Sequence, residues 1–323
     1  MPIRLCLLLF LVSACFGGVD PALEKGLVAA GELVNIRGLD GKPFQMEVGF
    51  HAQVSVPLEG HLTLKWKNEN QWQQEIRLGD FQETQVKNGD SVFTKRNGPF
   101  TPLRVVETVG LLGVFSFDPE GWKIKKAKHR ETLDSDCLEM RPRAHEQWSP
   151  EERICLQHST GDVVEVDYKD DQESRRKEFS EYVAFGSHRY PKHLKLLVNS
   201  SVALDARVDS LSESSFEDAV FMPPPGAIAR RQCKHMVHPI PIKQPNPAYP
   251  RSAAQNGMGG TATVTLTVLP DGSVTDVQLI GSAGREMDQV TQEIIRTWKF
   301  KPAMCGDEPV AADISVQMNF RLE

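Results

Sequence analysis

The residues of this 323-residue chain best suited to chemistry are its six cysteines, one of which sits in a short run with two histidines and a methionine. Cys137, Cys155, Cys233 and Cys305 make an even set in the body of the chain, which can be joined in three ways. The expected pairs are Cys137 with Cys155 and Cys233 with Cys305. The first would staple two short apolar segments, Leu138 to Met140 and Ile154 to Leu156, and by loop entropy is worth roughly 3 kcal/mol. The second would close a longer loop, worth on the order of 4 kcal/mol. Cys233, His235, Met236 and His238 offer sulfur and imidazole donors of the kind that hold copper or zinc. The simpler reading of that run is a linker with a disulfide cysteine, and no metal or cofactor is expected. No nucleophile elbow, His-Glu-x-x-His, phosphate loop or dinucleotide fingerprint occurs, so no catalytic residue is assigned and the chain is read as no enzyme.

Disulfides need an oxidising compartment. Arg4, the apolar run Leu5 to Val12 and the small residues Ser13 and Ala14 have the layout of a secretory signal peptide, taken as residues 1–18. The run is far short of the ~20 apolar residues of a membrane-spanning helix. Val12-Ser13-Ala14-Cys15 resembles a bacterial lipobox, which would make Cys15 a lipidated first residue; the alternative is a plain signal-peptidase cut. The expected location is the periplasm, with a lipid anchor as the only route to the membrane. A mean hydropathy of −0.34 with 25% charged residues indicates a soluble body. A net charge of −6 leaves no basic footprint for nucleic acid.

Residues 19–220 alternate as strands. A helix is expected over Pro21 to Leu33. Strands are expected over Gln45 to Val56, His61 to Lys67, Trp72 to Leu78, Phe81 to Val86 and Ser91 to Lys95. A second helix is expected from Thr101 to Val114. Strands then resume at Trp122 to Lys126, Leu138 to Met140, Ile154 to His158, Val163 to Tyr168, Phe179 to Phe185, His193 to Val198 and Ser201 to Ser210. So many consecutive strands with two helices describe one long antiparallel sheet that curls. Asp170, Asp171, Glu173 and Arg175 to Glu178 read as a solvated loop. Residues 221–250 are proline-rich, an extended and semi-rigid linker and lead.

The last stretch, 251–323, is the most regular. In Thr261 to Val268 four threonines alternate with Ala262, Val264, Leu266 and Val268, which marks a half-buried antiparallel strand. Pro270-Asp271-Gly272-Ser273 suits a tight turn, and Val274 to Ile280 returns alongside. Met287, Val290, Ile294 and Trp298 recur at helical spacing. Ile314, Val316, Met318 and Phe320 form a final alternating strand. The fold class is therefore α+β, a curled antiparallel sheet followed by a ββαβ two-layer module.

From about Pro239 to Leu322 the chain resembles the C-terminal domain of the TonB family. The resemblance is carried by Pro247, Tyr249-Pro250, Ala253, Gly257, Gly260, Asp271-Gly272, Val274, Asp288, the run Trp298-Lys299-Phe300-Lys301-Pro302, Val310 and Phe320. It implies a non-catalytic role in energy-coupled transport, with an outer-membrane receptor or another envelope protein as partner. It also implies that the final strand is a sheet edge to which an extended receptor segment adds. Residue by residue, the partner contacts would be Asp313, Ser315, Gln317, Asn319 and Arg321, with Gln244, Pro245 and Asn246 as a second stretch. Asp313 and Arg321 would also serve as guards against unwanted edge pairing.

The N-terminal half resembles LolA-like lipoprotein carriers, through Phe179 to Tyr182, Tyr190 to Leu194 and the cysteine hairpin before them. That resemblance implies an open half-barrel whose apolar face is filled either by its own helices or by a lipid or acyl chain.

Overall fold

The computed structural model describes residues 21–38, 41–53, 56–131, 134–143, 151–169, 173–233 and 235–321. The signal peptide, Cys15, Asp170 and Asp171 lie outside the described residues.

The chain opens with helix α1 (Pro21–Val34) and five strands, β1 (Phe44–Ala52), β2 (Leu58–Asn68), β3 (Gln71–Leu78), β4 (Phe81–Asn88) and β5 (Ser91–Arg96). Helix α2 (Leu103–Leu111) then carries the chain away. Seven more strands follow: β6 (Trp122–Arg130), β7 (Ser135–Pro142), β8 (Glu151–Gln157), β9 (Val163–Lys169), β10 (Ser174–Phe185), β11 (His188–Val198) and β12 (Ser201–Glu213). They belong to one open sheet in the order β13-β5-β4-β3-β2-β1-β12-β11-β10-β9-β8-β7-β6, where β13 is Ile228–Arg231. The chain thus builds two antiparallel meanders that meet where β1 pairs with β12. Among the described residues the ends of the order, β13 and β6, do not pair, so the sheet does not close into a barrel.

Alternation fixes which face is covered. In β1, Phe44, Met46, Val48, Phe50 and Ala52 are buried. They share one core with Leu27, Ala30 and Val34 of α1 and Val105 and Leu111 of α2, so the sheet's apolar face is occupied by the chain's own helices. Phe44 stacks on Trp66, with centroids 5.6 Å apart, and meets Phe185 edge-on at 5.7 Å, which locks β1 to β2 and β10. Buried Tyr190 donates its hydroxyl to the Leu112 carbonyl (2.7 Å) and pins the exit of α2.

Several elements depart from the sequence reading. β1 stops at Ala52 and not Val56, because Ala52 pairs with Leu58 to close a hairpin containing Pro57, and Val56 is exposed. Helix α2 starts two residues later than expected, because Pro102 is its extended cap, and it ends before Val114, whose φ is 49°. Arg175 to Glu178 are not a loop but the start of β10. There Arg175 donates to Glu107 (2.9 Å) and Arg176 to Asp167 (2.7 Å). Lys177 stands between Val166 and Leu196, where burial pushes its pKa down although Glu152 opposes the shift.

The proline-rich stretch is stitched to both halves. After β12 a 3-10 turn over Asp218–Phe221 passes under the sheet, held by Lys67 on Asp218 (2.6 Å) and by Asn88 donating to the Phe221 carbonyl (3.2 Å). β13 then pairs with β5. Next come β14 (Met236–Val237) and β15 (Ile240–Lys243), which pair with β19 (Ala303–Cys305) and β18 (Lys299–Lys301).

The C-terminal module continues with α3 (Arg251–Gln255), β16 (Gly260–Val268), β17 (Val274–Gly281), α4 (Arg285–Ile295), β20 (Glu308–Val310) and β21 (Ala312–Phe320). Its main sheet runs β17-β16-β21. Val264, Leu266, Met287, Ile295, Trp298 and Phe320 are buried together, with Val290, Ile294, Val316 and Met318 packed half-buried against them. Trp298 lies past the end of α4 and not within it; its N–H still bonds the Ile295 carbonyl (3.0 Å).

Cys137 and Cys155 face each other across β7 and β8 and are joined, and Cys233 is joined to Cys305. With its sulfur bonded, Cys233 is no thiolate donor for a metal beside His235 and His238.

The hairpin between β16 and β17 shows why residue 272 is glycine. Gly272 has φ 77°, and a Cβ there would stand 2.0 Å from the Phe300 carbonyl oxygen. Its own carbonyl accepts the Phe300 N–H (3.0 Å), so the turn is docked on the strand after α4. Gly272→Ala is therefore expected to destabilise the protein by about 1–3 kcal/mol from backbone strain alone. A denaturant midpoint unchanged from the parent would contradict this.

Candidate functional site

A three-stranded sheet has two edges, each a row of backbone N–H and C=O groups open to pairing. In the C-terminal module the edges are treated differently. The β17 edge is partly covered by the segment that follows β5. Thr101 N–H donates to the Leu279 carbonyl (3.1 Å) and Leu279 N–H donates to the Pro99 carbonyl (3.0 Å), which makes a parallel bridge at Phe100. Side chains reinforce it: the Thr101 hydroxyl donates to Gln278 (2.9 Å), whose amide donates to the Gly98 carbonyl (2.9 Å).

An ion network fastens the same junction. Arg96 of β5 reaches both Glu83 of β4 and Asp276 of β17. Arg230 of β13 reaches Asp276 (2.6 Å), the Thr267 hydroxyl (2.7 Å) and Asp313 of β21 (2.7 Å). The side chains of Arg96, Asp276 and Arg230 are 17%, 10% and 13% exposed, dry enough for these charges to be only weakly screened. Burial acts to lower the Arg96 pKa, but Glu83 and Asp276 outweigh it and hold it above its ordinary value. Arg231, with Asp90 and Glu308, and the Cys233–Cys305 bond tie the next residues to the module.

Asp276→Asn is expected to loosen this junction. Arg96 retains Glu83 and Arg230 retains Asp313, so neither guanidinium is stranded and the loss is confined to roughly 1–3 kcal/mol of charge-assisted hydrogen bonding. Faster hydrogen exchange at the Thr101 and Leu279 amides, with α4 unchanged, is the expected signature; unchanged exchange at both amides would refute it.

The opposite edge is β21. It pairs in continuous register with β16, from Gly260 opposite Phe320 to Val268 opposite Ala312. Among the described residues no strand pairs on its other side. Ile314, Val316 and Met318 turn toward the core, while Ser315 and Gln317 are exposed. Asp313 is engaged by Arg230 and by the Thr267 hydroxyl (2.7 Å), and Asn319 accepts from the Thr261 hydroxyl (2.7 Å), so both are tied back to their own sheet or its neighbour. Arg321 is exposed just beyond the strand.

Gln244 and Asn246 are exposed on the lead, while Pro245 is half-buried and its carbonyl accepts the Trp298 indole N–H (3.0 Å). The lead then reaches β21 through Tyr249, whose ring meets Phe320 edge-on at 5.6 Å and whose hydroxyl donates to the Met258 carbonyl (2.5 Å). The two expected contact stretches are thus joined through Tyr249. Nothing in the sequence pattern singles out the junction residues Arg96, Arg230, Asp276 and Gln278 as a group. The available signal was a charged and an amide side chain at Asp276 and Gln278 inside the returning strand.

Comparison with known proteins bears on the same segment. Residues 245–322 match the family model described as Gram-negative bacterial TonB protein C-terminal. Protein tonB2 of Pseudomonas aeruginosa is 35% identical over 82 residues, 25% of this chain and 30% of that protein. The chain thus spans about a third of the length of the curated relatives it matches. Among solved structures, the Pseudomonas aeruginosa TonB C-terminal domain is similar over 28% of this chain and 97% of its own, at 28% identity and a TM-score of 0.25. A LolA superfamily protein of Nitrosomonas europaea is similar over 62% of this chain and 96% of its own, at 9% identity and a TM-score of 0.40.

Proposed function

We propose that this chain, a TonB-family protein through its residues 245–322, is a non-catalytic periplasmic adaptor of energy-coupled envelope transport that binds its partner by strand addition at β21. The partner is the periplasmic end of an outer-membrane receptor or another envelope protein. One observation carries this reading: the β17 edge is partly covered by residues 99–101, whereas among the described residues β21 is paired on one side only. An added strand would draw its affinity from main-chain hydrogen bonds, with Ser315 and Gln317 on one face of the pairing and the half-buried Ile314, Val316 and Met318 on the other.

The alternative, an acyl carrier built on the N-terminal sheet, has less support, since α1 and α2 fill the face that would hold the chain. No helix among the described residues is long and apolar enough to cross a membrane. Membrane attachment in this reading rests on Cys15, and mass spectrometry of the mature N-terminus separates a diacylglyceryl Cys15 from a plain cut.

Titrating the labelled protein with short extended peptides from the periplasmic ends of outer-membrane receptors tests the proposal. Amide resonances from Ala312 to Phe320 are expected to shift more than those of α4 or β17. Shifts confined to the N-terminal sheet, with β21 silent, would reject the adaptor in favour of the carrier.

A further inference from the structure

Far from the C-terminal module, at the β6 end of the large sheet, three side chains converge that no sequence spacing brings together. His129 of β6 stands directly opposite Asp136 of β7. Asp136 in turn stands opposite Leu156 of β8, so His158, two residues further on, projects to the same face. The Asp136 carboxylate bridges the two rings: His129 Nδ1 lies 2.8 Å from one oxygen and His158 Nδ1 lies 2.7 Å from the other. The rings meet edge to face with centroids 5.2 Å apart, and one donor atom from each of the three residues lies within 4.8 Å of the others.

We propose that His129, Asp136 and His158 form a binding site for a divalent transition-metal ion of the zinc and copper class. Two imidazole nitrogens and one carboxylate oxygen are the donor set such ions take, whereas magnesium and calcium favour oxygen alone. Bonds to zinc of about 2.0–2.2 Å put neighbouring donors of a tetrahedral site on the order of 3.3 Å apart. To admit the ion, the present nitrogen–oxygen contacts of 2.7–2.8 Å, one to each carboxylate oxygen, need to open by about half an ångström, while donors now as much as 4.8 Å apart need to draw in. The three side chains are 44%, 43% and 57% exposed, so that adjustment meets little packing resistance and leaves room for water in the remaining positions.

The backbone beneath them is already fixed. The Cys137–Cys155 bond joins β7 to β8 one residue after Asp136 and three before His158. His158 N–H donates to the Asp134 carbonyl (2.8 Å), which continues the β8 line past its last strand residue. A backbone fixed before the ion arrives leaves only the side-chain rotamers to be ordered by binding. An ion here would clasp β6, β7 and β8 together at the free edge of the sheet. The inference stands apart from the strand-addition reading and would survive its failure.

The test uses the intact, oxidised protein. Calorimetric titration with Zn²⁺, repeated with Cu²⁺ and Mg²⁺, is expected to show one Zn²⁺ or Cu²⁺ ion bound per chain at micromolar concentrations and no Mg²⁺. His129→Ala and His158→Ala are each expected to weaken binding by about a hundredfold or more, beyond the roughly 10–100-fold that losing a partner of a metal ligand costs. The double variant His235→Ala, His238→Ala is expected to bind as the parent does. Long-range nitrogen–proton spectra of the parent give a second readout that needs no variant to fold, with the ring resonances of His129 and His158 moving on Zn²⁺ addition. No uptake of Zn²⁺ or Cu²⁺ at micromolar concentration would overturn the site. So would uptake that survives both His129→Ala and His158→Ala, or that moves only the rings of other histidines.

Discussion

Replacing Trp298 with alanine is expected to destabilise the protein by about 3–5 kcal/mol, the cost of truncating a large aromatic side chain in a packed core. Trp298 is 4% exposed and packs in one cluster with Val264, Leu266, Met287, Ile295 and Phe320. It does more than fill space. Its indole N–H donates to the Pro245 carbonyl (3.0 Å), so the same side chain fastens the lead segment to the module, and its ring lies 6.2 Å from that of Phe300. Trp298→Phe separates the two contributions. It keeps much of the apolar contact but leaves the Pro245 carbonyl without its donor, for an expected cost of roughly 1–3 kcal/mol. Urea unfolding of the intact protein, followed by a probe inside residues 245–321, reads both. A cost for alanine below about 1 kcal/mol would place the indole outside the core, against its burial.

The position of Trp298 also illustrates what the sequence makes legible. Met287, Val290, Ile294 and Trp298 recur at helical spacing, and the face they mark is the one that packs on the sheet. Yet α4 ends at Ile295, and Trp298 reaches the same core from the turn beyond. Periodicity reports which face a residue belongs to, not where the hydrogen-bonded turns stop. The alternation of β1 and β16 is legible for the same reason, because one face of each strand is buried along most of its length. Gly272 is legible through its turn, although the close approach of Phe300 that requires it is not.

Contacts between distant segments leave weaker marks. β13 is four residues, Ile-Ala-Arg-Arg, inside a proline-rich stretch, and its partner β5 lies more than a hundred residues earlier. Nothing local distinguishes it from linker. Arg175 to Glu178 read as a solvated loop because their charge hides an alternation in which Arg175 and Lys177 share one face and Arg176 and Glu178 the other. His129, Asp136 and His158 become neighbours only through the registers of β6 with β7 and β7 with β8, which no single strand encodes. At the candidate edge, the exposure of Ser315 and Gln317 follows from alternation, while the engagement of Asp313 by Arg230 depends on how the two halves of the chain dock.

Proline placed in β21 is expected to abolish partner binding at one of two neighbouring positions, and which one identifies the outward-facing N–H groups. In an antiparallel ladder, successive backbone N–H groups point to opposite sides of the strand. Gln317 and Met318 stand opposite Thr263 and Ala262 of β16, so one of the two donates inward to β16 and the other faces the open side. Proline at the outward position removes a β21 N–H that would donate only to the added strand, leaving β16 paired. Proline at the inward position breaks the β16 ladder and is expected to cost about 3 kcal/mol or more in stability. Both Gln317→Pro and Met318→Pro are therefore needed, each with an unfolding curve as control. The informative variant is the one that stays folded, and its peptide affinity is expected to fall below detection. Gln317→Ser is expected to bind almost as the parent does, since a side chain on a pairing made by main-chain bonds constrains it only loosely. A variant that carries proline at the outward position, remains folded and binds receptor peptides undiminished would remove β21 as the site. Peptide resonance shifts moving to Val274–Gly281 in that variant would instead mean that residues 99–101 had given up the other edge.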